Sequence, residues 1–466
     1  MKTAHFIPVI GLFAGCAVGP DYHRPTIVVP IVYRSSVTNT VPSAPSAPLT
    51  WSSLFPDPAL QRLLSQGLNN NYDLQIAAAR VLQARASLGL ARSDYFPNIA
   101  AGGNLATARV SQRGPSAPPA AVSPEAEFGG LSLGMASYEV DLWGRIRRSN
   151  EAARARLLAA ESSRNAVEQT LLSDIANTYF SLIELAAEYK ISSQSLLSRT
   201  NSLRLVGVRE EGGVASLQDV RQAEVLVQAA KSTQTDIERR RLQTENDLQV
   251  LLGSTPGEIS LGIPLADQSL PPTLPTGLPS ELLLRRPDIQ VAEQQLIAAN
   301  ADLGQARAAY FPQITLTGSF GYQSLSLSDL FTSPARVWQF GPSVTLPLFT
   351  GGKIRAQNRL ASARLQEAVA NYQKVVQSGF RDVSSALIGF EKAREFEIEQ
   401  QALTTARRDA ARLAEIRYVG GVTSYLEVLY NEQESLSAEL ALAQARRNTL
   451  QSMVQLYRAL GGGPLQ

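Results

Sequence analysis

Two periodicities divide this chain. In "ITLTGSFGY", residues 314–322, Ile314, Leu316, Gly318, Phe320 and Tyr322 alternate with Thr315, Thr317, Ser319 and Gly321. In "WQFGPSVTLPL", Trp338, Phe340, Val344, Leu346 and Leu348 alternate with Gln339, Gly341, Ser343 and Thr345. A period of two predicts strands with one apolar and one polar face, here over about 313–323 and 338–349. A weaker version, Ile99, Ala101, Gly103, Leu105 and then Leu131, Leu133, Met135, predicts strands over about 98–110 and 128–142. The two strands around 314–322 and 338–348 are each about ten residues, the length that crosses a membrane in a barrel.

Elsewhere the period is helical. Residues 72–95 are rich in Ala and Leu and stop before Pro97, which lacks the donor a helix needs. Residues 145–211 contain no proline and only Gly207 as an interior glycine, so they predict one helix of roughly 100 Å at ~1.5 Å per residue. Leu171, Ile175, Leu182, Leu185, Tyr189 and Leu196 follow steps of four and three, with Thr178 and Ser192 in the gaps. That is a coiled-coil seam. A second seam, Leu172, Ala176, Tyr179, Ile183 and Ala186, runs beside it. Two seams let one helix pack on both sides, as in a ring of helices; a long bundle is the alternative. Further helices are expected at 216–252, 287–310, 353–419 and 424–460.

The pattern occurs twice. "ARSDYFPNI" and "ARAAYFPQI" begin 215 residues apart, at 91 and 306, and the match extends over 73–99 and 288–314. "REEGGVASLQDV" (209–220) matches "RYVGGVTSYLEV" (417–428) at an offset of 208. A duplicated helix–strand–strand–helix–helix unit explains both. The first copy is placed at 57–262 and the second at 281–466. Pro-rich stretches at 16–56 and 263–280 read as a tether and a linker.

Four strands do not close a membrane barrel, and an open sheet edge is not tolerated in lipid. Spanning strands therefore require an oligomer: eight strands from two chains or twelve from three.

Charge and composition narrow the function. The 43 basic and 41 acidic residues leave a net charge of +2, without the basic excess of a nucleic-acid binder. The apolar run at 6–15 is too short to span as a helix; between Lys2 and Cys16 it reads as an export signal over 1–15. "LFAGC" has the form of a lipoprotein processing site, so a lipid on Cys16 is expected. The two histidines, His5 and His23, lie in the signal and the tether. No metal-ligand or nucleophile set is legible, and "FTGGKI" (349–354) lacks the spacing of a phosphate loop. Neither an enzyme nor a bound cofactor is expected.

The chain resembles the outer membrane factor family, the TolC-like channels, and within it the lipoprotein NodT- or OprM-like efflux branch. The resemblance is carried by "CAVGPDYHRP" (16–25), "LPTGLPSELLLRRPDIQVAE" (274–293), both "YFP" corners, "YVGGVTSYLEVL" (418–429) and "ALGGG" (459–463). It implies a homotrimer in the Gram-negative outer membrane, with a shared twelve-stranded β-barrel continued by a helical barrel in the periplasm. It implies a periplasmic adaptor and an inner-membrane pump of the RND class as partners, and passive conduction once a closed helical end is dilated. By alignment, Tyr418 and Asp219 match a pair that ties the two helical hairpins, and Gln218 joins that network. Glu427 matches an acidic ring at the narrowest point. Thr423 stands where some members have a constraining arginine, and Tyr430 where a second acidic ring often lies. Gly212, Gly213, Gly420 and Gly421 match turns that meet the adaptor. A type I protein-secretion duct and a non-conducting lipid-anchored coiled-coil scaffold are the competing readings.

Overall fold

The computed structural model describes residues 18–27, 50–113, 115, 119, 124–269 and 284–462. The signal, Cys16, most of the tether, residues 270–280 of the linker and the first three residues of the second copy lie outside them. The described residues fall into two compact units. One draws on the described residues within 18–26, 80–160 and 292–372, and the other on those within 50–79, 161–291 and 373–462, with residue 27.

The helices are α1 (Trp51–Leu54), α2 (Pro58–Asn70), α3 (Tyr72–Ser93), α4 (Arg145–Glu211), α5 (Leu217–Leu251), α6 (Pro287–Ala308), α7 (Lys353–Val419) and α8 (Tyr425–Ala459). The strands are β1 (Ile99–Arg109), β2 (Glu125–Glu139), β3 (Gln313–Ser324) and β4 (Arg336–Thr345). The long helices α4 and α7 have the expected bounds. Helices α5 and α8 are each shorter by a residue at both ends, because Ser216 and Ser424 are N-caps and Leu252 and Leu460 are C-caps.

Strand bounds shift for local reasons. β2 begins at Glu125, where Arg109 on β1 pairs with Glu125 at 3.2 Å. It ends at Glu139 because the next residues cap α4: the Asp141 carboxylate accepts from Ile146 N at 3.1 Å and Arg147 N at 2.8 Å. β4 ends at Thr345, short of Leu348. Pro347 cannot donate to a ladder.

The largest correction concerns the tether. Residues 50–56 are not extended but fold as α1 and its exit, with Trp51, Leu54 and Phe55 buried. Trp51 packs edge-on against Tyr457 at 5.0 Å, and Phe55 lies 5.3 Å from Phe180. Helix α2 follows, with Asp57 as its N-cap and Pro58 at its first position, the pairing that starts helices. Residues 18–27 are also held. Arg24 grips Glu293 with two bonds of 2.7 Å, Tyr22 donates to the same carboxylate at 3.1 Å, and Val18 N donates to Trp143 O at 2.9 Å. The start of the linker is packed too, with Leu265 and Gln268 buried.

The second unit has a continuous core of Leu171, Leu172, Ile175, Ala176, Tyr179, Leu182 and Ile183 from both α4 seams, against Leu60 and Leu64 of α2 and Leu450, Met453 and Val454 of α8.

Candidate functional site: a two-faced sheet and a paired helical turn

In the first unit, β1-β2-β3-β4 form one antiparallel sheet in chain order, leaving β1 and β4 as edges. The register sorts the side chains. Ile99, Met135, Gly318 and Phe340 form one row across the sheet, and Ala101, Leu133, Phe320 and Trp338 the next. The rows between them are Ala100, Gly134, Ser319, Gln339 and Gly102, Ser132, Gly321, Val337. One face is thus apolar and aromatic, and the other carries mainly small side chains, with Ser132, Ser319 and Gln339 polar and Val337 its one large apolar residue. Among the described residues nothing covers the apolar face: Trp338 is 74% exposed, and Ile99, Leu133, Phe320 and Phe340 are exposed with it.

Both strand pairs start from the same corner. Tyr95 N and Phe96 N donate to Arg92 O and Ser93 O, and Tyr310 N and Phe311 N donate to Arg307 O and Ala308 O. The four aromatic rings are exposed. Trp143 stacks on Phe311 at 4.8 Å and donates its indole N–H to Pro312 O at 2.7 Å. Exposed aromatic rings at the end of an apolar band suit a membrane–water boundary.

The second unit holds the paired turns. α4 closes with Val214 N donating to Arg209 O and Gly213 N to Glu210 O; α7 closes with Val422 N donating to Arg417 O and Gly421 N to Tyr418 O. Gly213 and Gly421 have φ of +73° and +74°, the left-handed conformation that makes glycine the default there. Gly212 and Gly420 precede them at the C-caps.

At these turns the repeats diverge. Asp219 and Glu427 are equivalent, each at the third position of its helix. The shorter Asp219 reaches back to its own cap, accepting from Ser216 N at 3.0 Å and Ser216 Oγ at 2.8 Å. The longer Glu427 instead accepts from Arg417 Nη1 at 2.6 Å and from the Thr423 hydroxyl. Arg209 and Arg417 are equivalent as well. Arg417 is committed to Glu427, while Arg209 lies over the Tyr418 ring, 4.6 Å from its centroid.

The structure therefore joins Thr423 to Glu427 but does not join Asp219 to Tyr418. Among the described residues no hydrogen bond links that pair, because the Asp219 carboxylate is taken by the cap. At the turns, Arg209 of α4 lies on Tyr418 of α7 as a cation–π contact between the hairpins, and further along α4 Arg199 donates to Gln433 of α8 at 2.8 Å. Tyr418 also packs on Tyr425 at 5.2 Å, amid Val206, Ala223, Ala414 and Val428. Burial, with Glu432 adding, pushes the Tyr425 hydroxyl up to about 12. Gln218 and Tyr430 are exposed on α5 and α8. Arg209 and Arg417 were missed from sequence; the signal was a basic residue in the last turn before each Gly–Gly.

These features have close parallels. The profile of the outer membrane efflux proteins matches residues 63–254 and 278–462. The probable efflux pump outer membrane protein TtgC of Pseudomonas putida is 36% identical, across 97% of this chain and 93% of its own length. Outer membrane protein OprJ of Pseudomonas aeruginosa is 36% identical, across 96% and 93%. Among solved structures, the outer-membrane channel OprN superposes with a TM-score of 0.88 at 32% identity, over 96% of this chain and 99% of that one. The open state of the Neisseria gonorrhoeae MtrE outer membrane channel gives 0.87 at 34% identity, over 97% and 100%. With its matching fold and near-complete coverage, this chain belongs to the outer membrane efflux protein family.

Proposed function

We propose that this protein is the outer-membrane channel subunit of a tripartite efflux system and that three copies close one twelve-stranded barrel. The observation that carries the membrane reading is the sheet. Its register gathers the large apolar side chains on one face, and among the described residues that face is uncovered and the two edges are unpaired. Lipid accepts such a face only if the edges are closed, and four strands fall short of a barrel. The polar face then lines water. The outer membrane is the location shared by the family.

Transport in this reading is passive and needs no catalysed step. A periplasmic adaptor and an inner-membrane pump deliver the solute, and the adaptor meets the Gly212–Gly213 and Gly420–Gly421 turns. The helical end is the gate: Arg209 on Tyr418 holds α4 to α7, and Glu427 from each copy sets the charge at the narrowing. A lipid on Cys16 anchors the N-terminus, as "LFAGC" suggests.

The test is conduction and assembly together. Purified protein in detergent should run as a trimer and insert into planar bilayers with stepwise conductance. Cysteine pairs scanned along β1 and β4 should yield disulfides between copies. A detergent-free, monomeric, non-conducting rod would favour the scaffold reading.

A further inference from the structure

Glu184 and Glu188 lie one turn apart on α4, and they are only 1% and 2% exposed. Arg447 of α8 donates to Glu184 Oε2 at 2.9 Å. Gln444 of α8 donates to Glu188 Oε1 at 3.1 Å, and Arg240 of α5 donates to Glu188 Oε2 at 3.4 Å. The remaining oxygen, Glu184 Oε1, is buried without a hydrogen-bond partner. The charged groups facing Glu184 are Arg447 from α8, Glu188 from its own helix and Arg240 from α5.

The charges are unevenly placed. The two carboxylates are buried, whereas the Arg447 and Arg240 side chains are 25% and 40% exposed and their charges are partly screened by solvent. A buried carboxylate oxygen without a donor is costly, and two carboxylates one turn apart repel. A single proton removes both costs. It neutralises Glu184 and turns the orphan oxygen into a donor, with the Glu188 carboxylate as the neighbouring acceptor.

We propose that Glu184 and Glu188 form a proton-binding site that clamps α4 against α5 and α8. Burial pushes the Glu184 carboxyl up to about 7; Arg447 opposes the shift and Glu188 adds to it. The folded value lies above the unfolded one, near ~4.3. The clamp is therefore tightest below the unfolded value and is progressively lost as pH rises through neutrality. The site lies within one chain, so it does not depend on the channel reading.

The experiment is hydrogen exchange on the full chain in detergent, corrected for intrinsic rates, over peptides covering 181–191, 237–247 and 441–450. Between about pH 5 and pH 7, one proton changes the local opening constant by up to about tenfold per unit. Protection should fall with rising pH in the wild type. In Glu184→Gln it should stay high and flat, because the amide is a permanent neutral donor. The same slope in both proteins overturns the proposal. Should Glu184→Gln fail to fold, difference infrared spectra of the wild type decide: a carboxylic-acid carbonyl stretch that disappears as pH rises through neutrality supports the site, and its absence overturns it.

Discussion

The side-chain amide of Asn358 donates to the backbone carbonyl of Ala306 at 2.8 Å, bridging α7 and α6. Asn150 makes the same bond to Ala91 at 2.8 Å, bridging α4 and α3. Each asparagine also donates to the carbonyl one turn back on its own helix, at 3.1 Å. The duplication thus copied individual contacts as well as elements. Asn358→Ala and Asn150→Ala should each lower stability by about 1–3 kcal/mol, since each leaves the partner helix's carbonyl without its donor. Denaturant midpoints followed by tryptophan fluorescence should show two similar losses; one silent substitution would mean that the copies are not energetically equivalent.

The tie at the turns predicts an ordered series. Tyr418→Phe keeps the ring under Arg209 and should leave single-channel conductance near wild type. Tyr418→Ala and Arg209→Ala remove the contact and should raise conductance and open probability. Asp219→Ala breaks the capping box and should cost about 1 kcal/mol of helix stability, with a smaller effect on conductance. If Tyr418→Phe and Asp219→Ala open the channel as fully as Tyr418→Ala, the hydroxyl–carboxylate tie implied by the family resemblance operates after all.

Charge selection should reside at the helical end. Three successive rows on the polar sheet face, from Ala100 to Asn104, carry no charged side chain, and Glu139 at their margin is gripped by Arg145 through two bonds of 2.8 Å. Such a wall has little preference between ions, whereas carboxylates around one axis attract cations. Glu427→Gln should shift the reversal potential in a salt gradient toward zero selectivity. Arg417→Ala should move it the other way by releasing Glu427. A reversal potential unchanged in both would place selection elsewhere.

How much of this could be read in the sequence follows from the range of each interaction. The long helices were legible because period and proline placement are local properties, and Arg145–Glu211 and Lys353–Val419 came out as expected. α2 was missed because Gly67 and the Asn69–Asn71 run look like a loop, although Asp57–Pro58 announced a helix start. The packing of Trp51 and Phe55 was hidden for another reason: their partners, Tyr457 and Phe180, are distant in sequence. At the turns, alignment located the right segments. It did not show that one extra methylene lets Glu427 reach Arg417 while Asp219 closes its own cap.

Asp57 gives the last prediction. It is fully buried, caps α2 through Ala59 N at 2.9 Å, and accepts from Tyr179 Oη at 2.6 Å, Gln268 Nε2 at 2.8 Å and Ile263 N at 3.1 Å. Burial alone would raise its carboxyl, yet the Tyr179, Gln268 and backbone donors outweigh it and hold the group below its ordinary value. A depressed folded value means that this stabilisation is present above the unfolded value, near ~3.9, and is lost as pH falls below it. Asp57→Ala should cost about 3 kcal/mol or more at neutral pH, because it strands several buried donors around α1, α2 and residues 262–268. Asp57→Asn should cost less at neutral pH and should flatten the decline of the thermal midpoint below about pH 4. An undiminished acid slope in Asp57→Asn would show that other carboxylates govern acid lability.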